Sequence, residues 1–159
     1  MLEKHNQEQA APPIGSHLPA VNTPATDNLQ ARPDHPATVM VVEDEEGIRE
    51  VVTILLDSLG YSVISATNGN EALEKFLSYT GTVDLLLTDL LMPGMNGSEL
   101  ATTLSKTDPE LKVLYMSGYS SDNLPGDHSA CFVQKPFTRE ALACKLREVL
   151  QGPPSRLSQ

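Results

Sequence analysis

Val83–Gly97 reads VDLLLTDLLMPGMNG, an apolar run that stops at one carboxylate, Asp89, and then breaks at Pro93-Gly94 and Asn96-Gly97. A short apolar run bounded by turn residues suits a strand buried on both faces, as in a parallel sheet covered by helices. Asp89 falls where that strand ends. In open α/β sheets, ligands and chemistry gather just outside the carboxyl ends of the strands. The rest of the chain is therefore read as scaffold and accessories of this acid.

Outward on both sides of this stretch, strand and helix alternate. Before it, TVMVVE from Thr38 is a β-branched strand that ends in Glu43 and Asp44. Ile48, Val51, Val52, Leu55, Leu56 and Leu59 then fall at helical spacing, stopped by Gly60. Tyr61–Ala66 (YSVISA) reads as a second strand. Asn68 is placed to cap a helix whose expected buried stripe is Ala72, Leu73, Phe76 and Leu77.

After Asp89, a helix over about Ser98–Lys106 turns Leu100, Ala101 and Leu104 inward, and Asp108-Pro109 breaks it. Leu111–Met116 (LKVLYM) is a fourth strand, ending at Ser117-Gly118. Pro125-Gly126 interrupts residues 119–130, so the fourth helix is expected to be short and irregular. Cys131–Gln134 is a fifth strand followed by Lys135-Pro136. Thr138 caps a last helix with Leu142, Leu146, Val149 and Leu150 in register. Five strands alternating with about five helices imply a single doubly wound α/β domain with a parallel sheet. Right-handed crossovers bring every strand's carboxyl end to one edge. Glu43, Asp44, Asp89, Ser117 and Lys135 meet there.

Composition narrows the function. A formal charge of −10 opposes a sequence-independent grip on nucleic-acid phosphates or on an anionic membrane surface. No stretch approaches the length of a membrane span, and MLEKHNQEQ lacks the apolar core of a secretory signal. Cys131 and Cys144, placed on a strand and a helix, read as packing residues rather than a disulfide or metal pair, so a reduced, cytoplasmic setting is expected. Residues 1–36 hold six of the twelve prolines and no apolar periodicity, and are expected to form a disordered leader or interdomain linker. His5, His17 and His35 lie there in no metal-binding spacing. The domain is expected over residues 37–151 and a frayed tail over 152–159.

Three acids at one edge repel each other, and a divalent oxygen-loving cation such as Mg²⁺ relieves that. A carboxylate beside Mg²⁺ is a competent nucleophile toward phosphorus, and phosphoryl transfer needs chiefly positioning and charge neutralisation. Lys135 offers a positive charge to phosphoryl oxygens, and Ser117 a hydrogen bond. Each residue has a plainer reading: EDEE as an acidic helix start, Asp89 as a turn residue, Ser117 in a Ser-Gly turn, Lys135 as a solvated loop lysine. Their common placement at strand ends distinguishes the two.

The pieces VVEDEEGIR, LLLTDLLMPGMNG, VLYMSGY and FVQKPFT, in this order, make residues 38–150 resemble a receiver domain of two-component response regulators. The resemblance implies a flavodoxin-like fold with Asp89 as phosphoacceptor. It also implies Mg²⁺ held by Glu43, Asp44, Asp89 and the Leu91 carbonyl. Ser117 matches the switching hydroxyl, Phe132 the switching aromatic, and Lys135 the lysine preceding a cis bond to Pro136. The phosphodonor is expected to be a histidine kinase or a histidine phosphotransfer protein, and the domain mainly a signalling device that assists its own phosphorylation and dephosphorylation. Phe132 lacks a phenolic hydroxyl, so its inward state depends on packing. Leu91 and Tyr119 occupy positions that resemble those tuning how fast the acyl phosphate hydrolyses, and neither readily orients an attacking water, which implies a slowly decaying phosphoryl state. The chain looks a few residues short between Ser117 and Lys135, so no particular dimer carries over.

No output domain follows the last helix in this sequence, which leaves two architectures. One is the C-terminal receiver of a hybrid sensor histidine kinase; the other is a free-standing single-domain regulator that docks on a partner. The phrasing LYMSGY and FVQKPFTREAL favours the first. A Mg²⁺-dependent aspartyl-nucleophile phosphohydrolase would place a second acid where Leu91 stands, and a flavin-binding domain would need a phosphate-cradling loop where EDEEG stands.

Overall fold

In a computed structural model of the protein, which describes residues 36–118 and 131–153, the strands divide their side chains between two faces. The elements are β1 (Thr38–Val42), α1 (Glu46–Ser58), β2 (Ser62–Ala66), α2 (Gly69–Ser78), β3 (Leu85–Asp89), α3 (Gly97–Thr107), β4 (Lys112–Ser117), β5 (Phe132–Gln134) and α4 (Arg139–Gln151). All strand pairs are parallel, in the order β2-β1-β3-β4-β5. β3 lies at the centre, and both its faces are covered.

The two layers follow from the two-residue period of a strand. Met40, Val42, Leu86, Val113 and Tyr115 pack under α2 and α3 with Leu100 and Leu104. The alternate residues Val39, Val41, Leu85, Leu87 and Leu114 pack under α1 and α4 with Leu56 and Leu142. Continuous apolar runs are thus two interleaved stripes. Burying each leucine side chain stabilises the fold by about 2 kcal/mol, so this sandwich holds the central strands rigidly.

Three of the four helices among the described residues start on a side-chain cap. Asn68 accepts from the Glu71 N–H, Asn96 and Glu99 form a reciprocal capping box, and Thr138 accepts from the Ala141 N–H. Glu45, at the start of α1, makes no side-chain cap hydrogen bond. At the far end of α4, which has no basic residue in its last turn, the Lys112 ammonium donates to the Leu150 and Gly152 carbonyls.

The structure corrects several expectations. Val51 and Leu77 are 56% and 63% exposed. Each lies roughly a quarter-turn from the centre of its helix's buried stripe, beyond the arc the sheet can cover. Cys144 is exposed and Cys131 only half-buried, so Cys144 is no packing residue; both are free. Four helices are present among the described residues. The short helix expected within residues 119–130, nearly all of the leader and most of the tail lie outside them.

Candidate functional site

Sheet register assembles the site. Val42 pairs with Thr88, Asp89 with Met116, and Ser117 with Gln134. One residue past β1 therefore comes Glu43, beside Asp89, and one residue past β5 comes Lys135, beside Ser117. Backbone bonds extend the ladder just beyond the strands: Leu90 N–H donates to the Met116 carbonyl at 3.0 Å, and Lys135 N–H to the Ser117 carbonyl at 2.7 Å.

The Lys135 ammonium lies between two carboxylates, 2.6 Å from Glu43 Oε2 and 2.9 Å from Asp89 Oδ2. Glu43 Oε1 accepts the Glu45 N–H, and Asp89 Oδ1 accepts the Leu91 N–H, both at 3.2 Å. Burial pushes the Glu43 carboxyl above its ordinary range, against the opposing pull of Lys135. Burial alone would lower the Lys135 pKa, but its bonds to Glu43 and Asp89 outweigh this and hold it above that of an ordinary lysine. An ammonium between two carboxylates stays charged.

Carboxylate oxygens of Glu43, Asp44 and Asp89 lie within 4.8 Å of one another. Three carboxylates against one ammonium leave two negative charges uncompensated at a mouth where Asp44 is exposed. Hard oxygen donors, a net charge of that size and an open side suit a divalent cation that keeps some of its waters. The donor set therefore fits Mg²⁺.

The remaining expected residues are placed as follows. Ser117, 2% exposed, ends β4 at the same edge. Phe132 is half-buried against the layer under α2 and α3. The Leu91 side chain is 56% exposed, and its backbone reaches Asp89. The Lys135-Pro136 bond is cis, as expected. Tyr119 lies outside the described residues.

Two residues of the site escaped sequence reasoning. At Gly97, a Cβ would collide with the Asp89 carbonyl oxygen, so only glycine lets α3 begin this close to the end of β3. The Asn-Gly pair hinted at a turn but not at this contact. Arg49 donates from Nη1 to the Glu43 carbonyl at 2.9 Å and to the Asp44 carbonyl at 3.5 Å. Nothing in the sequence pattern distinguishes it from a solvated helix arginine.

Comparison with known proteins gives a consistent picture. A family model described as the response regulator receiver domain matches residues 39–147. Sensor kinase CckA of Brucella abortus (strain 2308) is 41% identical over 119 residues, which is 72% of this chain and 13% of that kinase. The chain thus spans a small fraction of this relative's length. The solved receiver domain from hybrid histidine kinase CckA shares 33% identity with a TM-score of 0.63, covering 72% of this chain and all of that one. Response regulator TrrA from Thermotoga maritima, solved in complex with Mg²⁺ and BeF, shares 34% identity with a TM-score of 0.62, over 71% of this chain and 98% of that one.

Proposed function

We infer the function of this chain from its kinship: it belongs to the response regulator receiver domain family of two-component signalling. Asp89 is the phosphoacceptor. One of its carboxylate oxygens attacks the phosphorus of a phosphohistidine on a histidine kinase or phosphotransfer protein. A P–O bond forms, the P–N bond breaks, and the imidazole nitrogen leaves with the electron pair and takes up a proton. Asp44, Asp89 and the Leu91 carbonyl would hold Mg²⁺, with Glu43 completing the acidic set; when bound, the ion would neutralise charge on the phosphoryl oxygens. Lys135 moves its charge from the carboxylates to the phosphoryl group, and the Ser117 hydroxyl donates to another of its oxygens. Phe132 follows Ser117 inward, a local charge change biasing a two-state element.

The observation that carries this reading is the meeting of Glu43, Asp44, Asp89 and Lys135, drawn from three strand ends, around one small space. Leu91 in place of a second acid stands against the phosphohydrolase. Its apolar, exposed side chain supports a slowly decaying phosphoryl state. Identity to a sensor kinase supports placement as the C-terminal receiver of a hybrid histidine kinase, with residues 37–151 as the receiver, 1–36 as linker and 152–159 as tail. A cytoplasmic setting follows from that placement. Among the described residues, no helix is long and apolar enough to cross a membrane. A kinase dimerisation and ATPase domain upstream in the same reading frame is the finding that tests the placement.

The site itself is tested by incubation with phosphoramidate and Mg²⁺ followed by intact mass. One phosphate is gained per chain, none in Asp89→Asn and far less in Asp44→Asn. An unchanged wild-type mass overturns the assignment.

A further inference from the structure

Among the described residues, the start of α1 is fastened unlike that of any other helix. α2, α3 and α4 each begin on an Asn or Thr side-chain cap, whereas Glu45 offers none. The helix that directly follows the acidic pair therefore lacks the usual device for fixing its first turn. In its place, Arg49 reaches back from the first turns of α1 and donates from one guanidinium nitrogen to the carbonyls of Glu43 and Asp44.

This choice of partners is informative. Glu45 and Glu46 stand four and three residues before Arg49, the favourable order for a helical ion pair. Yet among the described residues, the ion pairs join Lys75 to Glu71, Lys135 to Glu43 and Asp89, and Lys145 to Glu148, and none involves Arg49. The guanidinium spends its charge on backbone carbonyls, where a charge-assisted hydrogen bond is stronger than an exposed ion pair. At 2.9 Å it holds the peptide group that joins Glu43 to Asp44, with a longer 3.5 Å contact to the Asp44 carbonyl, and it takes none of their carboxylate oxygens itself.

We propose that Arg49 is a positioning residue for the metal edge, fixing the backbone of Glu43 and Asp44 so that Asp44 is presented to a divalent cation beside Asp89. The proposal rests on the reading of Asp44 and Asp89 as Mg²⁺ ligands. Outer partners that orient ligands are worth about tenfold or more in metal affinity when lost.

Titration of the unphosphorylated protein with MgCl₂ by calorimetry tests it. Arg49→Gln binds Mg²⁺ about tenfold more weakly than wild type, and Arg49→Lys, whose ammonium can reach a carbonyl, recovers part of the loss. Adding a cap through Glu45→Asn in the Arg49→Gln background separates fastening the helix from positioning the ligands. The double variant regains thermal stability but not Mg²⁺ affinity. Wild-type affinity in Arg49→Gln, or affinity restored by the added cap, overturns the proposal. Should Arg49→Gln not fold, Arg49→Lys carries the comparison: weaker binding supports the proposal and unchanged binding overturns it. Absence of Mg²⁺ binding by the wild type overturns the metal reading of the site and this inference with it, whereas a loss-free Arg49→Gln beside a binding wild type removes this inference alone.

Discussion

Lys135 bonds two carboxylates at once, and burial makes a positive charge between them necessary. The Glu43 side chain is 1% exposed, Asp89 13% and Lys135 16%, so water screens little of the repulsion between the acids. Removing one partner of a buried pair leaves an uncompensated charge and costs roughly 3–5 kcal/mol. Lys135→Ala is accordingly expected to lose about 3 kcal/mol in urea unfolding without divalent cation. The deficit narrows when MgCl₂ is added, because the ion replaces the missing positive charge. A full-sized deficit that Mg²⁺ leaves untouched would show that the lysine, rather than the metal, is the only charge the site accepts. From the sequence, Lys135 was legible as a strand-end cation. Its bond to Glu43, 92 residues away, was not, because only the sheet order brings β1 and β5 to the same edge. Arg49 was illegible for a different reason: its partners are backbone carbonyls, which carry no signature of residue type.

β4 carries a buried phenol as well as the Ser117 end of the site. Tyr115 is 1% exposed under α2 and α3, and burial pushes its pKa from 10.0 up to about 12, with Ser98 of α3 opposing the shift. The folded state holds this proton more tightly than the unfolded state does. Its contribution to stability is thus complete below pH 10 and is lost as pH rises through 12. Melting temperature measured against pH is expected to fall over that interval in the wild type, and less steeply in Tyr115→Phe. Equal slopes would place the alkaline sensitivity elsewhere. The strands themselves were legible, because β-branched and leucine runs bounded by turn residues have few other homes. Helical stripes were legible at their centres and not at their edges: Val52 and Leu56 are buried, while Val51 is exposed. The width of a buried arc depends on how a helix sits on the sheet, which periodicity does not encode. The same holds for Cys144, which an apolar helix pattern alone placed inside.

Over the whole molecule, the formal charge of −10 and the acidic edge act in the same direction. A ligand that binds only the folded chain stabilises it by about 2.7 kcal/mol at a hundredfold excess over its Kd. Thermal unfolding in MgCl₂ is therefore expected to shift upward relative to NaCl of equal ionic strength, and to shift far less in Asp44→Asn. Matching shifts in the two salts would reduce the effect to screening. The order of the four charged groups along the chain has a further consequence for biosynthesis. The acids at 43, 44 and 89 leave the ribosome before the base at 135, which emerges 46 residues after Asp89. Until β5 docks, a nascent chain carries three acidic groups at the edge of an unfinished sheet with no ammonium to offset them. Addition of this strand thus both extends the sheet and offsets part of its edge charge, so a chain halted before Lys135 keeps its acids mutually repelled.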